Sequence, residues 1–135
     1  MSDKQKIENV IIQLETYLES WKQFKTFIEL ARAKKFSPED EAQFMEVKSA
    51  VAQQLEMILA AFEQPVVDRN EIHALLSDAS SIRNLSEKTE NALRNDENKW
   101  NKIYITLQAA VGQLKAQQKQ LEGKSFWSGL FGGKK

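Results

Sequence analysis

The residues of this chain that could take part in catalysis or metal binding are few and scattered. The sequence has one histidine, His73, and no cysteine, so zinc sites built from those side chains are excluded. Glu71 lies two residues before His73, whereas the Glu-x-x-His pairs of di-iron helical bundles need a spacing of three. We therefore predict that His73 is a surface residue or lies at the edge of an apolar helix face.

Local motifs for catalysis or cofactor binding are also missing from the sequence. The five glycines are confined to position 112 and to residues 123–135, so no glycine-rich phosphate loop occurs. No serine, lysine or carboxylate stands in a local motif for nucleophilic or acid–base catalysis. We expect a protein that is not an enzyme and has no cofactor, no metal and no small-molecule substrate.

Composition argues against nucleic-acid binding. The 19 basic residues are balanced by 19 acidic residues, so the net charge is zero and the whole molecule does not attract a polyanion. The aromatic side chains that could form a base-stacking platform have the spacing of a helix core, which predicts packing instead. These aromatic residues are Trp21, Phe24, Phe27, Trp100 and Tyr104.

The C-terminal segment, residues 124–135, departs from the pattern of the rest of the chain. It carries four large apolar residues among glycines, serines and lysines. Wound as a helix, the apolar residues span an arc of about 140°, bordered by lysine. Aromatic faces bordered by lysine suit the interface of an anionic bilayer. The predicted docking residues are Phe126, Trp127, Leu130, Phe131, Lys124, Lys134 and Lys135.

This segment has one resemblance to a known family. Lys124-Ser-Phe-Trp-Ser-Gly-Leu-Phe-Gly-Gly resembles the C-terminal amphipathic membrane-targeting sequence of the Min-system cell-division ATPase of bacteria. The resemblance covers only this segment, and it implies reversible membrane binding through the four large apolar residues. Two alternatives stay open: the segment covers one end of its own bundle, or it docks in a groove on a partner protein.

The rest of the chain reads as amphipathic helices. The first is predicted from Ser2 or Asp3 to about Lys35, with Ser2 and Gln5 at capping-box spacing. Its apolar residues recur at steps of three and four, as in a helix of a bundle. They are Ile7, Val10, Leu14, Tyr17, Trp21, Phe24, Ile28 and Ala31.

The second helix is predicted from Pro38 to about Glu63. Ser37 is a suitable N-cap and Pro38 a suitable first helical residue, while Pro65 ends the helix. The short connection makes the first two helices antiparallel neighbours.

The helical pattern resumes after the N-cap Asp68 and has one doubtful point, at Asn95–Asn98. There Asn and Asp residues favour a turn. A turn at this point gives an antiparallel up-down four-helix bundle. We favour this architecture because the apolar stripes of all four helices can then pack against one another within one chain. The alternative is three helices, with a single third helix from Arg69 to Glu122 that dimerises to cover its distal half.

Gly123 is a natural residue to end the last helix. Together these observations predict a helical bundle (residues 1–122) and a docking tail (residues 123–135). We expect a non-enzymatic adaptor or scaffold whose tail attaches weakly to a membrane or docks on a partner protein. The alternative is a self-associating structural subunit with its tail at the interface. The N-terminus lacks the features of a signal peptide, and no run approaches the roughly 18 apolar residues of a membrane span. The expected location is the cytoplasm, with peripheral attachment at the inner face of the membrane.

Overall fold

Helices make up most of the chain that the structure covers. A computed structural model describes the backbone of residues 2–130 and the side chains of residues 2–124. The prediction of an all-α bundle is confirmed. The helices are α1 (Asp3–Ala33), α2 (Pro38–Ala60), α3 (Arg69–Asp78), α4 (Ile82–Ser86) and α5 (Glu90–Leu130).

Capping residues fix the beginnings of α1 and α2. The Ser2 hydroxyl accepts a hydrogen bond from the Gln5 N–H at 3.2 Å, and the Ser37 hydroxyl accepts one from the Asp40 N–H at 3.1 Å. In both cases the side chain of the later residue accepts from the N-cap N–H in return, which completes a capping box. Between the two helices, Lys34 ends α1 in the left-handed conformation, with φ of 57°.

The helices α1 and α2 pack antiparallel, as predicted. The Phe44 ring lies edge-on to Phe24 and Phe27, with centroids 5.3 and 5.2 Å apart. Further along, the Tyr17 hydroxyl donates to the Val51 carbonyl oxygen at 3.1 Å. Burial raises the pKa of Tyr17 to about 12, so the hydroxyl remains a protonated donor at neutral pH.

The long helix α5 runs antiparallel along α1. It has 41 residues, or about 60 Å at 1.5 Å per residue. The Trp21 and Trp100 rings lie 6.2 Å apart in the middle of this interface. On either side of this contact, Arg32 pairs with Glu97 and Lys115 pairs with Glu15. The helix α1 is therefore central, because it also packs against α2 and α4.

The break before the last long helix lies earlier than predicted. Residues 95–98 are inside α5, so the predicted turn at Asn95–Asn98 is wrong. The chain breaks instead at residues 79–81 and 87–89, on either side of α4. These breaks also exclude the alternative of one helix from Arg69 to Glu122. Trp100 and Leu107, in the half of α5 that the alternative left uncovered, are buried within this chain.

Short polar residues explain where the breaks fall. The Ser81 and Thr89 side chains each accept from the N–H three residues further on, at 2.9 and 3.1 Å, and so cap α4 and α5. The Glu41 carboxylate of α2 accepts from the backbone N–H groups of Ile82 and Arg83 at 2.8 and 3.1 Å. The start of α4 is thus held by its own cap and by a neighbouring helix.

The polar residues at positions 96 and 97 remain helical because their charges are paired. Asp96 is only 8% exposed, and its carboxylate accepts a hydrogen bond from the Lys88 ammonium. Glu97 accepts one from Arg32 at 2.9 Å. The local preference of Asn and Asp for turns is outweighed here by partners outside α5: Lys88 lies eight residues before Asp96, and Arg32 belongs to α1.

Candidate docking surface

Several ionisable side chains in the described residues form ion pairs that join different parts of the fold. No three His, Asp or Glu side chains among these residues could hold a metal ion. His73 is exposed, as predicted. Two clusters join separate elements, one around Lys88 and one around Arg32.

The Lys88 cluster joins α3 to α5. The Lys88 ammonium donates to Asp78 at the end of α3 and to Asp96 on α5. Partial burial lowers the pKa of Lys88, but these two hydrogen bonds outweigh that effect and the pKa is raised. The hydrogen bond from Lys88 also lowers the pKa of Asp78. Because these three charges are paired with one another, the arrangement is that of a structural clamp.

The Arg32 cluster fixes the end of α1 to the beginning of α5. The guanidinium donates to Glu97 at 2.9 Å, to Glu90 at 3.2 Å, and to Glu29 within α1. The hydrogen bond to Glu97 raises the pKa of Arg32, although partial desolvation opposes it. Together with the Lys88 clamp, this cluster holds the first turns of α5 in a fixed position on the bundle.

The predicted docking tail begins inside α5. Sequence reasoning took Gly123 as the residue that ends the last helix, but α5 continues through Gly123 to Leu130. A glycine within a helix costs only about 1 kcal/mol relative to alanine, which is too little to force an end. The predicted boundary at residue 123 is therefore crossed without a break in the backbone.

The predicted docking residues fall in three groups. Lys124 is exposed on α5. Phe126, Trp127 and Leu130 belong to the helical backbone, and their side chains lie outside the described part. Phe131, Lys134 and Lys135 lie outside the described residues altogether.

The register of α5 decides which side of the helix the tail positions occupy. Leu107 is fully buried, and Leu114 and Leu121 continue the same stripe, partly buried, towards the C-terminus. Counted at 100° per residue, positions 126, 127 and 130 lie on average about 170° around the helix axis from this stripe. The apolar positions of the tail are thus on the opposite side of α5 from the bundle core.

The end of α5 leaves the bundle beside the start of α1. Ile7 and Leu121 line one groove between the two helices, together with Asp3 and Lys124. Lys124 is therefore level with the first turn of α1. The six following helical residues extend about 9 Å further, at 1.5 Å per residue.

The charges are unevenly distributed along the chain, although they sum to zero. Residues 37–97 contain 13 acidic and five basic residues, whereas residues 98–121 contain four lysines and no acidic residue. Sequence reasoning considered only the total and missed this division. Counting charges by segment would have identified residues 98–121 of α5 as basic.

No helix in residues 2–130 is long and apolar enough to cross a bilayer. Comparisons with protein-family models, with curated proteins and with solved structures found no match to this chain. The function has to be inferred from α5 itself, from its register, its charges and its exposed side chains.

Proposed function

We propose that this chain is a non-enzymatic helical adaptor that attaches weakly and reversibly to an anionic membrane surface through the C-terminal end of α5. The attachment is peripheral, at the inner face of the membrane, and the bundle provides the soluble body. The observation that carries the proposal is the continuity of α5 through Gly123 to Leu130.

Continuity matters because it sets the direction of the apolar tail positions. Positions 126, 127 and 130 lie opposite the stripe of α5 that contains Leu107. In this register they are turned away from the chain's own core, which argues against the tail as a cover for its own bundle.

The energetics of the tail favour weak, reversible attachment. Four large side chains that are partly buried give about 4–8 kcal/mol, since full burial of each gives about 1.5–3 kcal/mol. Each lysine near an anionic surface adds about 1 kcal/mol. Gly129 opposes these gains, because a glycine lowers the stability of this end of α5 by about 1 kcal/mol relative to alanine. Stable attachment therefore needs several tails on one assembly.

The proposal predicts that removal of the tail weakens membrane binding. We expect the full chain to co-sediment with vesicles of phosphatidylcholine and phosphatidylglycerol, and a chain ending at Gly123 to bind at least tenfold more weakly. Tenfold corresponds to about 1.4 kcal/mol, well below the gross contribution of the apolar residues. The measurement is vesicle co-sedimentation over a range of lipid concentrations.

A full-length variant with Phe126→Ser and Trp127→Ser controls for truncation. It keeps every lysine and should also lose binding, whereas vesicles of phosphatidylcholine alone should bind the unchanged chain less well. Equal binding of the full chain and both variants would exclude attachment through the tail. Docking of the tail on a protein would then be the remaining form of the adaptor hypothesis.

A further inference from the structure

The side of α5 that faces away from the bundle carries small and apolar residues well before the tail begins. Ile105 is 55% exposed, and Ala109, Gly112 and Ala116 are exposed after it. At 100° per residue, these four positions lie on average about 170° from Leu107. They therefore share one side of the helix with positions 126, 127 and 130. We call this side, from Ile105 to Leu130, the outer face of α5.

Lysines border the outer face on both of its edges. At 100° per residue, Lys115 falls on one edge and Lys102 and Lys124 on the other, while Lys119 lies between Lys115 and the centre of the face. All four are exposed. Lys115 pairs with Glu15 of α1 at 3.0 Å, with both side chains about half exposed. An apolar strip between two rows of cations is complementary to an anionic lipid surface.

The fold itself gives no packing reason for the glycine in this face. A Cβ atom added at Gly112 would meet nothing within 4 Å, so no neighbour in the described residues requires the absence of a side chain. Glycine nevertheless lowers helix stability relative to alanine. Small residues at positions 109, 112 and 116 allow the axis of α5 to come close to a flat surface.

We propose that α5 lies flat on an anionic bilayer along its entire outer face, with the bundle above it. This inference rests on the proposed function, because the tail provides the first contact. The flat orientation follows from the rigidity of α5, which is one helix from Glu90 to Leu130. Because the tail positions and Ile105 lie on the same side of this helix, contact of the tail with the bilayer also brings the rest of the outer face to the surface. When the tail lies in the bilayer interface, Ile105 and the lysines Lys102, Lys119 and Lys124 reach the headgroups.

The first test compares two isoleucines that are equally exposed. Ile105 on the outer face and Ile12 on α1 are both 55% exposed, so Ile105→Glu and Ile12→Glu should leave the fold equally intact. We expect Ile105→Glu to weaken binding to phosphatidylglycerol-containing vesicles by at least about fivefold, which is the effect of one charge near an anionic surface. Ile12→Glu should bind as the unchanged chain does.

The second test measures the orientation of α5 on the bilayer directly. The sequence has no cysteine, so single cysteines can be introduced into the full chain at Ala109 or Ala116 and, as a control, at Ser49 on α2. An environment-sensitive fluorophore at Ala109→Cys or Ala116→Cys should shift its emission to the blue on the same vesicles. The same fluorophore at Ser49→Cys should not.

The outcomes separate this inference from the proposed function. If binding depends on the tail but both glutamate variants behave alike and the label at position 109 stays in water, the tail inserts alone and the flat orientation is wrong. If the chain ending at Gly123 binds as well as the full chain, the proposed function itself is wrong. Tail-dependent binding with a blue shift at positions 109 and 116 supports both.

Discussion

Replacement of Trp21 by alanine should destabilise the protein by about 3–5 kcal/mol, the usual cost of removing a large aromatic side chain from a core. Trp21 is fully buried. Its ring contacts Tyr17 and Phe24 within α1 and Trp100 of α5, with centroids 6.3, 5.8 and 6.2 Å away. The substitution therefore leaves a cavity between the two longest helices, which cannot collapse without moving one of them.

Urea denaturation followed by circular dichroism measures this loss. The matched control is Met57→Ala, because Met57 is 55% exposed and its truncation should change the free energy of unfolding by less than about 0.5 kcal/mol. A loss below about 1 kcal/mol for Trp21→Ala would mean that the contact between Trp21 and Trp100 does not exist in solution.

Replacement of Lys88 by methionine should cost about 2–4 kcal/mol, because it leaves a carboxylate buried without its cation. The side chains of Lys88 and Asp96 are only 17% and 11% exposed, so water compensates Asp96 poorly. The double variant Lys88→Met with Asp96→Leu removes both charges and should recover most of the stability. Urea denaturation of the single and double variants forms a double-mutant cycle that measures the coupling.

An exposed pair provides the comparison for Lys88. Lys22 and Glu19 lie 3.4 Å apart on α1 with side chains 56% and 66% exposed, and exposed pairs of this kind contribute at most about 0.5 kcal/mol. Lys22→Met should therefore be nearly neutral. If Lys88→Met were equally neutral, the clamp between α3 and α5 would not contribute to stability.

The Lys88 clamp should also depend on pH in a defined way. The pKa of Asp78 is lowered in the folded state, so its contribution is present above the pKa of the unfolded chain and is lost as pH falls through the folded value. The pKa of Lys88 is raised, so its contribution is present below the ordinary lysine pKa and is lost as pH rises through the folded value. The difference in stability between the unchanged chain and Lys88→Met should be largest near neutral pH and should shrink towards both extremes.

The parts of the fold that local rules determine could be predicted from the sequence. The capping box at Ser2, the N-cap at Ser37 and the apolar stripe of α1 depend on neighbours within one helical turn, and all three are confirmed. The turn at Asn95–Asn98 was predicted wrongly because Lys88 and Arg32, which stabilise Asp96 and Glu97 in the helix, lie outside α5. Pairing with residues outside the helix cannot be read from local composition.

The candidate docking surface was also predicted only in part from the sequence. The tail residues stood out from the sequence because Phe126, Trp127 and Leu130 occur among glycines and lysines. Their orientation could not be predicted, because Gly123 was taken as the end of the helix and the direction of the tail beyond it was then undefined. The outer face of α5 was missed because Ile105 and Ala109 are apolar residues in an amphipathic helix. Only the position of the bundle core shows that Ile105 and Ala109 lie on the side of α5 that faces away from it.

The central place of α1 has a consequence for how the chain folds. The contact between Trp21 and Trp100 joins residues far apart in sequence, and contacts of this kind slow folding because a long loop must close first. During synthesis, α1 has only α2 to pack against until the second half of the chain leaves the ribosome. The early pair, joined by Phe24 and Phe44, would then serve as the template on which α5 docks last.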